Sequence, residues 1–342
     1  GKRPPFAPNH GGAPWLEPFH VREDGTKSTE QARPGEQGPW SLCPENSPRK
    51  FYTIHAITLP ITLKKATAKT PAIVDPQGMI FVLHEEETAV RKTPDRQVPL
   101  VIRGNVYDCI DIIYKNEIPD DERTGWANKV NLHPHFFQFD TSASDGPTIG
   151  FSYDMSLRAF TMLKDPEPEK GMPLPGNTVL TADSKSGASS ITVADPSKFH
   201  ANIELGVGMD DPKYFEIARI KKIEGKTIHF DRPLKNGHKK NDIASVEFIR
   251  ERWYVDVDFG TVYWHDHVFG TDTWGHGLFS AFIAEPPRST YHDPVTGKEI
   301  RSGPIADIHT LEPVSAHIRG SFREVMMHIM DSNARTAELI TA

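Results

Sequence analysis

Two short stretches, NLHPHF at 131–136 and YWHDHV at 263–268, each carry two histidines separated by one residue. Residues i and i+2 of a β-strand project from the same face. Each stretch therefore directs two imidazoles the same way, and two such strands lying side by side would bring four imidazoles together. Because imidazole is a ligand for copper, zinc and iron, the pattern predicts a metal site. The predicted ligands are His133, His135, His265 and His267.

The composition favours a β protein and excludes two classes of partner. Hydrophobic residues make up 37% of the 342 residues, and the chain contains 29 prolines and 25 glycines, which suits an all-β fold with many turns. No apolar run approaches the ~20 residues that a membrane-spanning helix needs. The net charge is −7, and no basic cluster is interleaved with aromatic residues. We therefore expect no membrane span and no nucleic-acid partner.

Short strand-like segments recur from residue 51 onward and predict a β-sandwich or barrel. The lysine-rich segment 174–247 has its own strands and turns, and it is interpreted as a small β-domain inserted into the main one. The segment 321–329 has the pattern of an opening strand of a further domain, so we expect the chain to belong to a longer polypeptide. The predicted division is 1–49 as an extended arm or linker, 50–173 and 248–290 as the two parts of the main domain, 174–247 as the insertion, and 291–342 as a linker with the first strand of a following domain.

The two cysteines, Cys43 and Cys109, leave two interpretations open. Cys109 lies in the apolar segment VYDCI at 106–110, and the favoured interpretation is a buried free thiol. A disulfide with Cys43 is the alternative, and it would suit an exported protein.

The second histidine stretch and the segment after it resemble a multicopper oxidase. WHDH at 264–267 is followed by GLFSAFI at 277–283, and in that family such an H-x-H on a W-x-H strand supplies ligands to the type 3 copper pair. LHPH at 132–135 resembles the other H-x-H of the same cupredoxin domain. SFRE at 321–324 looks like the start of the next cupredoxin domain. The resemblance extends over 51–170 and 248–290, and it is closest to large bacterial multicopper oxidases of the manganese-oxidase or metal-oxidase type.

The resemblance implies a cupredoxin-like Greek-key β-sandwich with an inserted small β-domain, and a copper-dependent oxidoreductase that uses O₂ as acceptor. It assigns His133 to type 2 copper, and His135, His265 and His267 to type 3 copper. The trinuclear cluster of this family takes eight histidines. Another cupredoxin domain, on a continuation of the chain or on a partner chain, is therefore expected to supply the rest. The family also implies a secreted, periplasmic or other extracellular location.

Two carboxylates, Asp140 and Asp145, lie just past the first histidine stretch, where the family's proton-donating carboxylate tends to fall. They are candidate proton donors during O₂ reduction. Both also fit an interpretation as turn residues.

The sequence departs from the family where type 1 copper would bind. Asp266 stands at the position of the type 1 cysteine, no histidine follows His267 at the expected spacing, and Cys109 has no suitable downstream histidine. We therefore expect type 1 copper elsewhere, which leaves Mn(II), Fe(II), Cu(I) and phenols open as reducing substrates. Pro134 is a further departure, and it predicts an edge strand or a bulge.

Other interpretations compete with the metal site. The four histidines could be ordinary surface or core residues. A non-catalytic cupredoxin module that scaffolds an extracellular assembly is the rival function. A cupin-like iron or zinc enzyme is disfavoured because no glutamate follows His135 at short spacing. Residues for which an ordinary structural role is predicted are His55, His84, His276, His328 and Trp264.

Overall fold

The structure is a computed structural model that describes residues 43–44, 46–93, 98–119, 129–139, 145–146, 156–158, 176–201, 203–211, 213–311 and 320–329. Within these residues the regular structure is almost entirely β. The two described helices, α1 (Glu87–Lys92) and α2 (Gly270–Gly275), have six residues each. No described helix has the length and apolar character to cross a membrane. The prediction of an all-β fold is confirmed.

The strands are short and follow one another closely along the chain. The first seven are β1 (Arg49–Thr58), β2 (Ile61–Lys64), β3 (Ile73–Asp75), β4 (Met79–Leu83), β5 (Val101–Asn105), β6 (Cys109–Asn116) and β7 (His133–Pro134). The next six are β8 (Asn177–Val179), β9 (Ser190–Thr192), β10 (Glu204–Val207), β11 (Glu216–Glu224), β12 (Thr227–Phe230) and β13 (Ile243–Ser245). The last six are β14 (Ile249–Tyr254), β15 (Thr261–His265), β16 (Phe279–Glu285), β17 (Thr290–His292), β18 (Ile305–His309) and β19 (Phe322–Val325).

Two four-stranded sheets face each other across the main core. The first sheet has the order β14-β6-β1-β4, and the second has the order β5-β16-β15-β7. Pairs β1–β6 and β5–β16 are parallel, so the chain crosses between sheets rather than winding as simple hairpins. Tyr52 and Phe81 of the first sheet pack with Trp264 and Phe282 of the second in one buried cluster. This arrangement agrees with the predicted cupredoxin-like Greek-key sandwich.

The inserted segment forms a separate six-stranded sheet with the order β8-β13-β10-β11-β12-β9. Its own hydrophobic cluster includes Leu180, Ile191, Leu205 and Ile228, all buried. It lies in the chain between β7 of the second sheet and β14 of the first, so the prediction of an inserted β-domain is confirmed. The exact residue limits proposed for the domains stay a prediction.

The segment near residue 321 forms a strand, as the sequence suggested. This strand, β19, pairs with β18, which in turn pairs with β17. Its membership of a further domain stays a prediction.

Cys43 and Cys109 form a disulfide with their Cα atoms 5.8 Å apart, so the favoured free-thiol interpretation was wrong. The parallel pairing of β1 with β6 brings the start of β1 beside Cys109, which pairs in register with Arg49. Because Cys43 lies shortly before β1 in the chain, this pairing also brings Cys43 close to Cys109. Closing a 66-residue separation restricts the unfolded chain, which corresponds to about 4 kcal/mol in the chain-entropy model.

Candidate metal centre

The two histidine stretches lie on neighbouring strands. Strand β7 is at the edge of the second sheet and pairs antiparallel with β15, with His133 opposite His265 and Pro134 opposite Trp264. The predicted adjacency of the two stretches is therefore present in the structure. The predicted edge strand at Pro134 is confirmed, and proline is tolerated there because it has no N–H to donate to a further strand. Trp264 is fully buried in the core, as predicted.

All four predicted ligands come together, and we call them the histidine cage (His133, His135, His265 and His267). The ring centroid of His133 lies 4.8 Å from that of His135, 5.2 Å from that of His265 and 4.8 Å from that of His267. The centroids of His265 and His267 are 5.6 Å apart. Nε2 of His135 lies 2.9 Å from Nε2 of His265. One ring nitrogen from each of three members, His133, His135 and His265, lies within 4.8 Å of the other two.

Backbone carbonyls orient two of these rings. Nδ1 of His265 donates to the carbonyl oxygen of Asp266 at 2.7 Å, and Nδ1 of His133 donates to the carbonyl oxygen of Asp145. Because a carbonyl can only accept, Nδ1 carries the proton in both neutral rings and Nε2 keeps its lone pair. A histidine held through its other nitrogen in this way is the usual arrangement of a metal ligand.

The side chain of Asp266 links the two histidine stretches through hydrogen bonds. Its carboxylate is buried and accepts four hydrogen bonds. The donors are the backbone N–H groups of Asn131 (2.8 Å), Val268 (3.3 Å) and Phe269 (3.1 Å) and the hydroxyl of Thr273 (2.7 Å). In return, Oδ1 of Asn131 accepts from the backbone N–H of His267 at 2.7 Å. Burial raises the pKa of Asp266, and these hydrogen bonds act in the opposite direction.

The cage favours neutral imidazoles. Burial lowers the pKa of His133 and of His135. Burial also lowers the pKa of His265, to about 4, and the neighbouring imidazoles add to this effect. Neutral imidazole is the form that binds metal, so the ligand lone pairs are available near neutral pH without loss of a proton.

Aromatic side chains form the walls of the cage. The ring of Tyr263 stacks on His135 with centroids 4.2 Å apart, and the ring of Trp274 meets His265 edge-on at 4.3 Å. Trp274 lies on α2, and its Nε1 donates to the carbonyl of Asp266 at 2.5 Å. The sequence analysis did not single out either aromatic. Tyr263 had a local signal, since it lies two residues before His265 on the same strand face.

One of the two predicted carboxylates lies beside the cage. Oδ1 of Asp145 lies 3.6 Å from Nδ1 of His133, whereas Asp140 lies outside the described residues. Glu251 was missed: it lies on the core face of β14, is buried, and accepts from Nε1 of Trp253 at 2.9 Å. Burial raises the pKa of Glu251 well above its ordinary value, and the charge of Asp145 adds to the rise. The signal in the sequence was the position of Glu251 in IRERWY, on the same strand face as Ile249 and Trp253.

The remaining histidines lie in other surroundings. Nδ1 of His276 lies 2.7 Å from Oδ2 of the buried Asp75, an ion-pairing arrangement that supports the structural interpretation. The ring of His328 packs 5.5 Å from that of Phe279. His55 is more than an ordinary strand residue, because it is fully buried and its Nδ1 lies 2.7 Å from Oε2 of Glu87.

No protein-family model and no curated protein matches this chain. Solved structures similar to it include a multicopper oxidase from Pseudomonas thermotolerans, with 10% identity and a TM-score of 0.31 over 72% of this chain and 31% of that one. Lac15 from a marine microbial metagenome has 11% identity and a TM-score of 0.28 over 78% and 44%. A multicopper oxidase from Campylobacter jejuni, described as a metallo-oxidase, has 8% identity and a TM-score of 0.22 over 78% and 37%. The chain spans less than half the length of each, and the assignment of the metal centre rests on the geometry of the cage.

Proposed function

We propose that this chain is a multicopper oxidase module that contributes half of a trinuclear copper site. The observation that carries the proposal is the convergence of four imidazoles from two paired strands. In this assignment His133 binds type 2 copper, and His135, His265 and His267 bind type 3 copper. When bound, copper would supply the redox chemistry that reduces O₂ to water. The protein side chains orient the rings and exclude water from them.

The ligand type supports copper. The cage offers imidazole nitrogens, which suit copper, zinc and iron, and Cu(II) binds such ligands most tightly among the divalent first-row metals. Cα atoms two residues apart on a strand are separated by about 6.6 Å. That spacing suits one ligand on each of two neighbouring ions better than two ligands on a single ion. Across the two strands, Nε2 of His135 lies 2.9 Å from Nε2 of His265.

The surface beside the cage supports a docking role for another cupredoxin domain. A cavity of about 340 Å³ opens next to His265 and Trp274 and is bordered by the segment 326–329. Large apolar side chains around the cage and this cavity stay exposed: Phe136 by 75%, Met327 by 74% and Ile329 by 88%. Grouped exposed apolar residues are typical of an interaction surface. The partner domain would complete the histidine set and hold type 1 copper.

The identity of the reducing substrate depends on that other domain. Mn(II), Fe(II), Cu(I) and phenols are the candidates, with the manganese-oxidase or metal-oxidase type favoured by the sequence resemblance. Asp145 is proposed as a proton donor because its carboxylate lies 3.6 Å from Nδ1 of His133. The role of Asp140 stays a prediction. The disulfide supports a secreted or periplasmic location, since disulfides persist in oxidising compartments.

Copper analysis combined with electron paramagnetic resonance on the protein joined to its complementary domain tests the proposal. We expect copper to be retained after dialysis, with a type 2 signal that is lost in His133→Ala and retained in His200→Ala. His200 is a matched control because its side chain is exposed and lies in the inserted segment, between β9 and β10. A protein that retains no copper when both domains are present would refute the proposal.

The alternative is a non-catalytic cupredoxin module that scaffolds an extracellular assembly. One observation favours it: both cysteines are in the disulfide, so this chain has no thiolate for type 1 copper. Under this alternative the apolar surface would still bind its partner, and the His265→Ala variant would assemble as well as the wild-type protein. A complex that forms without copper and shows no O₂ consumption would favour the scaffold.

A further inference from the structure

The outward face of the second sheet carries both the histidine cage and a buried ion pair, and we call it the cage face. Trp264 of β15 and Phe282 of β16 point into the main core. By strand alternation, His265 and Glu285 of the same two strands lie on the opposite face. Arg103 of β5 reaches this face as well, and its Nη1 donates to Oε1 of Glu285. The side chains of Arg103 and Glu285 are 0% and 2% exposed, so another part of the chain covers them.

Strand β19 and the residues directly after it provide the cover, and we call residues 322–328 the covering segment. Its alternate side chains contact the cage face. Glu324 joins the buried ion pair, and Met326 packs against an apolar cluster on β5 and β16. The ring of His328 lies 5.5 Å from that of Phe279. Because Phe279 pairs in register with His265, the end of the covering segment lies beside the histidine cage.

One arginine serves two glutamates under the covering segment. Nη1 of Arg103 donates to Oε1 of Glu285 and to Oε2 of Glu324. Nη2 of the same arginine donates to the carbonyl oxygen of Gly303 at 3.2 Å. Since both carboxyl groups accept from the same nitrogen, they lie next to each other and one cation faces two acids. We call Arg103, Glu285 and Glu324 the shared-arginine triad.

The surroundings of the triad oppose ionisation of both acids together. Two carboxylates that share one site repel each other, and burial adds to the cost of charging them. Burial raises the pKa of Glu285 well above its ordinary value, and the charge of Glu324 adds to the rise, whereas Arg103 acts in the opposite direction. The charges of the triad balance when the two acids hold one proton between them. One positive charge then faces one negative charge.

Two tyrosines border the triad and do not compete with this titration. Tyr52 donates to the carbonyl oxygen of Arg103 at 2.6 Å, and burial raises its pKa to about 12. Tyr291 donates to Oδ1 of Asn105 at 2.5 Å, and burial raises its pKa as well. Both phenols therefore stay neutral between pH 5 and pH 9.

Charged residues on the neighbouring elements already have partners in the described part of the chain. On β1, Nζ of Lys50 lies 3.4 Å from Oδ2 of Asp108. In the loop between β17 and β18, Arg301 lies 3.0 Å from Glu85. Arg103 is therefore the cation on which both glutamates of the triad depend.

We propose that the shared-arginine triad is a pH-sensitive latch, which holds the covering segment on the cage face while its two glutamates share one proton. Loss of that proton leaves two adjacent carboxylates on one guanidinium group. Their repulsion favours release of Glu324, whose side chain is the more accessible of the two at 26% exposed. Release uncovers the face beside the histidine cage and frees the strand where a further domain is predicted to begin. The latch needs no metal, so its test does not depend on the proposed copper chemistry.

The direction of the pH dependence follows from the proton that the latched state retains. The pKa of Glu285 is raised in the latched state and returns towards its ordinary value of 4.5 on release. The stabilisation by Glu285 is therefore complete below pH 4.5 and declines as the pH rises towards the pKa of the latched state. Over that interval the opening constant should rise by at most about tenfold per pH unit, the limit for release of one proton.

Hydrogen–deuterium exchange with mass spectrometry, on the whole chain without added metal and from pH 5 to pH 9, tests the proposal. Protection of the covering segment, corrected for the intrinsic pH dependence of exchange, should fall by about tenfold or more over this range. Glu324→Gln should keep it constant within about twofold, because its amide oxygen still accepts from Arg103 and Glu285 then has a cation of its own. Glu285→Gln removes the same charge from the buried partner and should give the same result.

Asp307→Asn is the matched control. Oδ1 of Asp307 lies 2.6 Å from Nε of Arg323, in an exposed ion pair that joins the same two strands, β18 and β19. This variant should keep the pH dependence of the wild-type protein. The proposal is overturned if protection of the covering segment does not change with pH in the wild-type protein, or if Glu324→Gln and Glu285→Gln behave as the control does. A parallel loss of protection in β1 and β6 would also overturn it, because the whole main domain would then be opening.

Discussion

In the part of the chain that the structure describes, two groups of potential metal ligands bring their ligand atoms equally close together, yet their surroundings differ in charge. One is the histidine cage. The other, which we call the glutamate–histidine cluster, consists of His55, Glu87 and Glu117. In each group, three potential ligand atoms lie within 4.8 Å of one another. The cage brings imidazole nitrogens towards one another, whereas the cluster combines one imidazole with two carboxylates.

Cations of the protein already neutralise the glutamate–histidine cluster. Nε of Arg91 lies 2.6 Å from Glu87, and its Nη2 lies 3.2 Å from Glu117. Nζ of the fully buried Lys115 lies 3.7 Å from Glu117. The glutamates of the cluster therefore already have cationic partners, whereas the cage brings imidazole nitrogens together, with Nε2 of His135 lying 2.9 Å from Nε2 of His265. We therefore expect the balance of charge, more than the proximity of ligand atoms, to decide which of the two groups binds a metal.

Copper titration gives the largest expected difference between the two groups. His265→Ala should weaken Cu(II) binding by about 100-fold or more, since a direct ligand contributes at least as much as the 10–100-fold attributed to outer-shell partners. Glu117→Gln should leave the affinity for copper unchanged. Competition with a chelator of known affinity provides the measurement. Equal losses in both variants would show that the cluster also binds copper and would remove the distinction.

Replacing Asp266 should have a large effect on stability, because its carboxylate links the two histidine stretches through hydrogen bonds. Asp266→Ala leaves four donors without their acceptor, among them the backbone N–H of Asn131 and the hydroxyl of Thr273. We expect the free energy of unfolding to fall by about 3–4 kcal/mol, measured by urea denaturation. Asp266→Asn keeps one acceptor oxygen and should lose less. A loss below about 1 kcal/mol in the alanine variant would mean that other groups or water replace the carboxylate.

Breaking the glutamate–histidine cluster should also cost stability, but with a characteristic pH dependence. Glu87→Gln should lower the free energy of unfolding by about 2–3 kcal/mol at pH 7, because the carboxylate of Glu117 is then left to balance both Arg91 and Lys115. Burial raises the pKa of Glu87, but the hydrogen bonds from His55 and Arg91 outweigh it, and the net pKa is lowered from 4.5. The contribution is therefore complete above pH 4.5 and disappears as the pH falls towards the folded-state pKa.

Denaturation at several pH values measures this effect. Glu85→Gln is the matched control, since Glu85 is 47% exposed and pairs with the exposed Arg301, and it should change stability by less than about 1 kcal/mol. A deficit of Glu87→Gln that stayed constant down to pH 3 would show that the carboxylate of Glu87 is not stabilised by its ion pairs.

The sequence alone predicted only those features of the two groups that depend on local strand geometry. The two-residue period of a strand placed His133 with His135 and His265 with His267, and the resemblance then suggested that the two stretches pair. The partners of His55 could not be read in this way. Glu87 reaches it from α1, 32 positions along the chain, and nothing in the local pattern marks that contact.

The same limit explains the cysteines. The sequence showed Cys109 in an apolar strand, which favoured a free thiol but is also compatible with a disulfide. The disulfide depends on the parallel pairing of β1 with β6, a contact between segments that are distant in the chain. The insertion, in contrast, was predictable because its composition and its turn signals differ locally from those of the main domain. Contacts between segments that are distant in the chain could be identified only from the structure.

The smallest expected effect concerns Glu251, a buried acid that belongs to neither group. Its Oε2 accepts from Nε1 of Trp253, and burial raises its pKa well above 4.5, which favours the neutral carboxyl group over the carboxylate. In contrast to Glu87, its contribution to stability is complete below the unfolded pKa of 4.5 and declines as the pH rises towards the folded-state pKa. The Glu251→Gln variant keeps the shape of the side chain and carries no charge at any pH. It should therefore change stability by less than about 1 kcal/mol at pH 4 and become the more stable form as the pH rises.

Parallel urea denaturation of the wild-type protein and Glu251→Gln from pH 4 to pH 8 decides this prediction. The difference in unfolding free energy should move steadily in favour of the glutamine variant over that range. Glu251→Ala removes the acceptor for Trp253 and leaves space in the core, so it should lose stability at every pH and separates packing from ionisation. If Glu251→Gln instead became less stable with rising pH, Glu251 would be ionised within the core. It would then need a cationic partner, as Glu87 has in Arg91, because an unpaired buried carboxylate is far more costly than a neutral one.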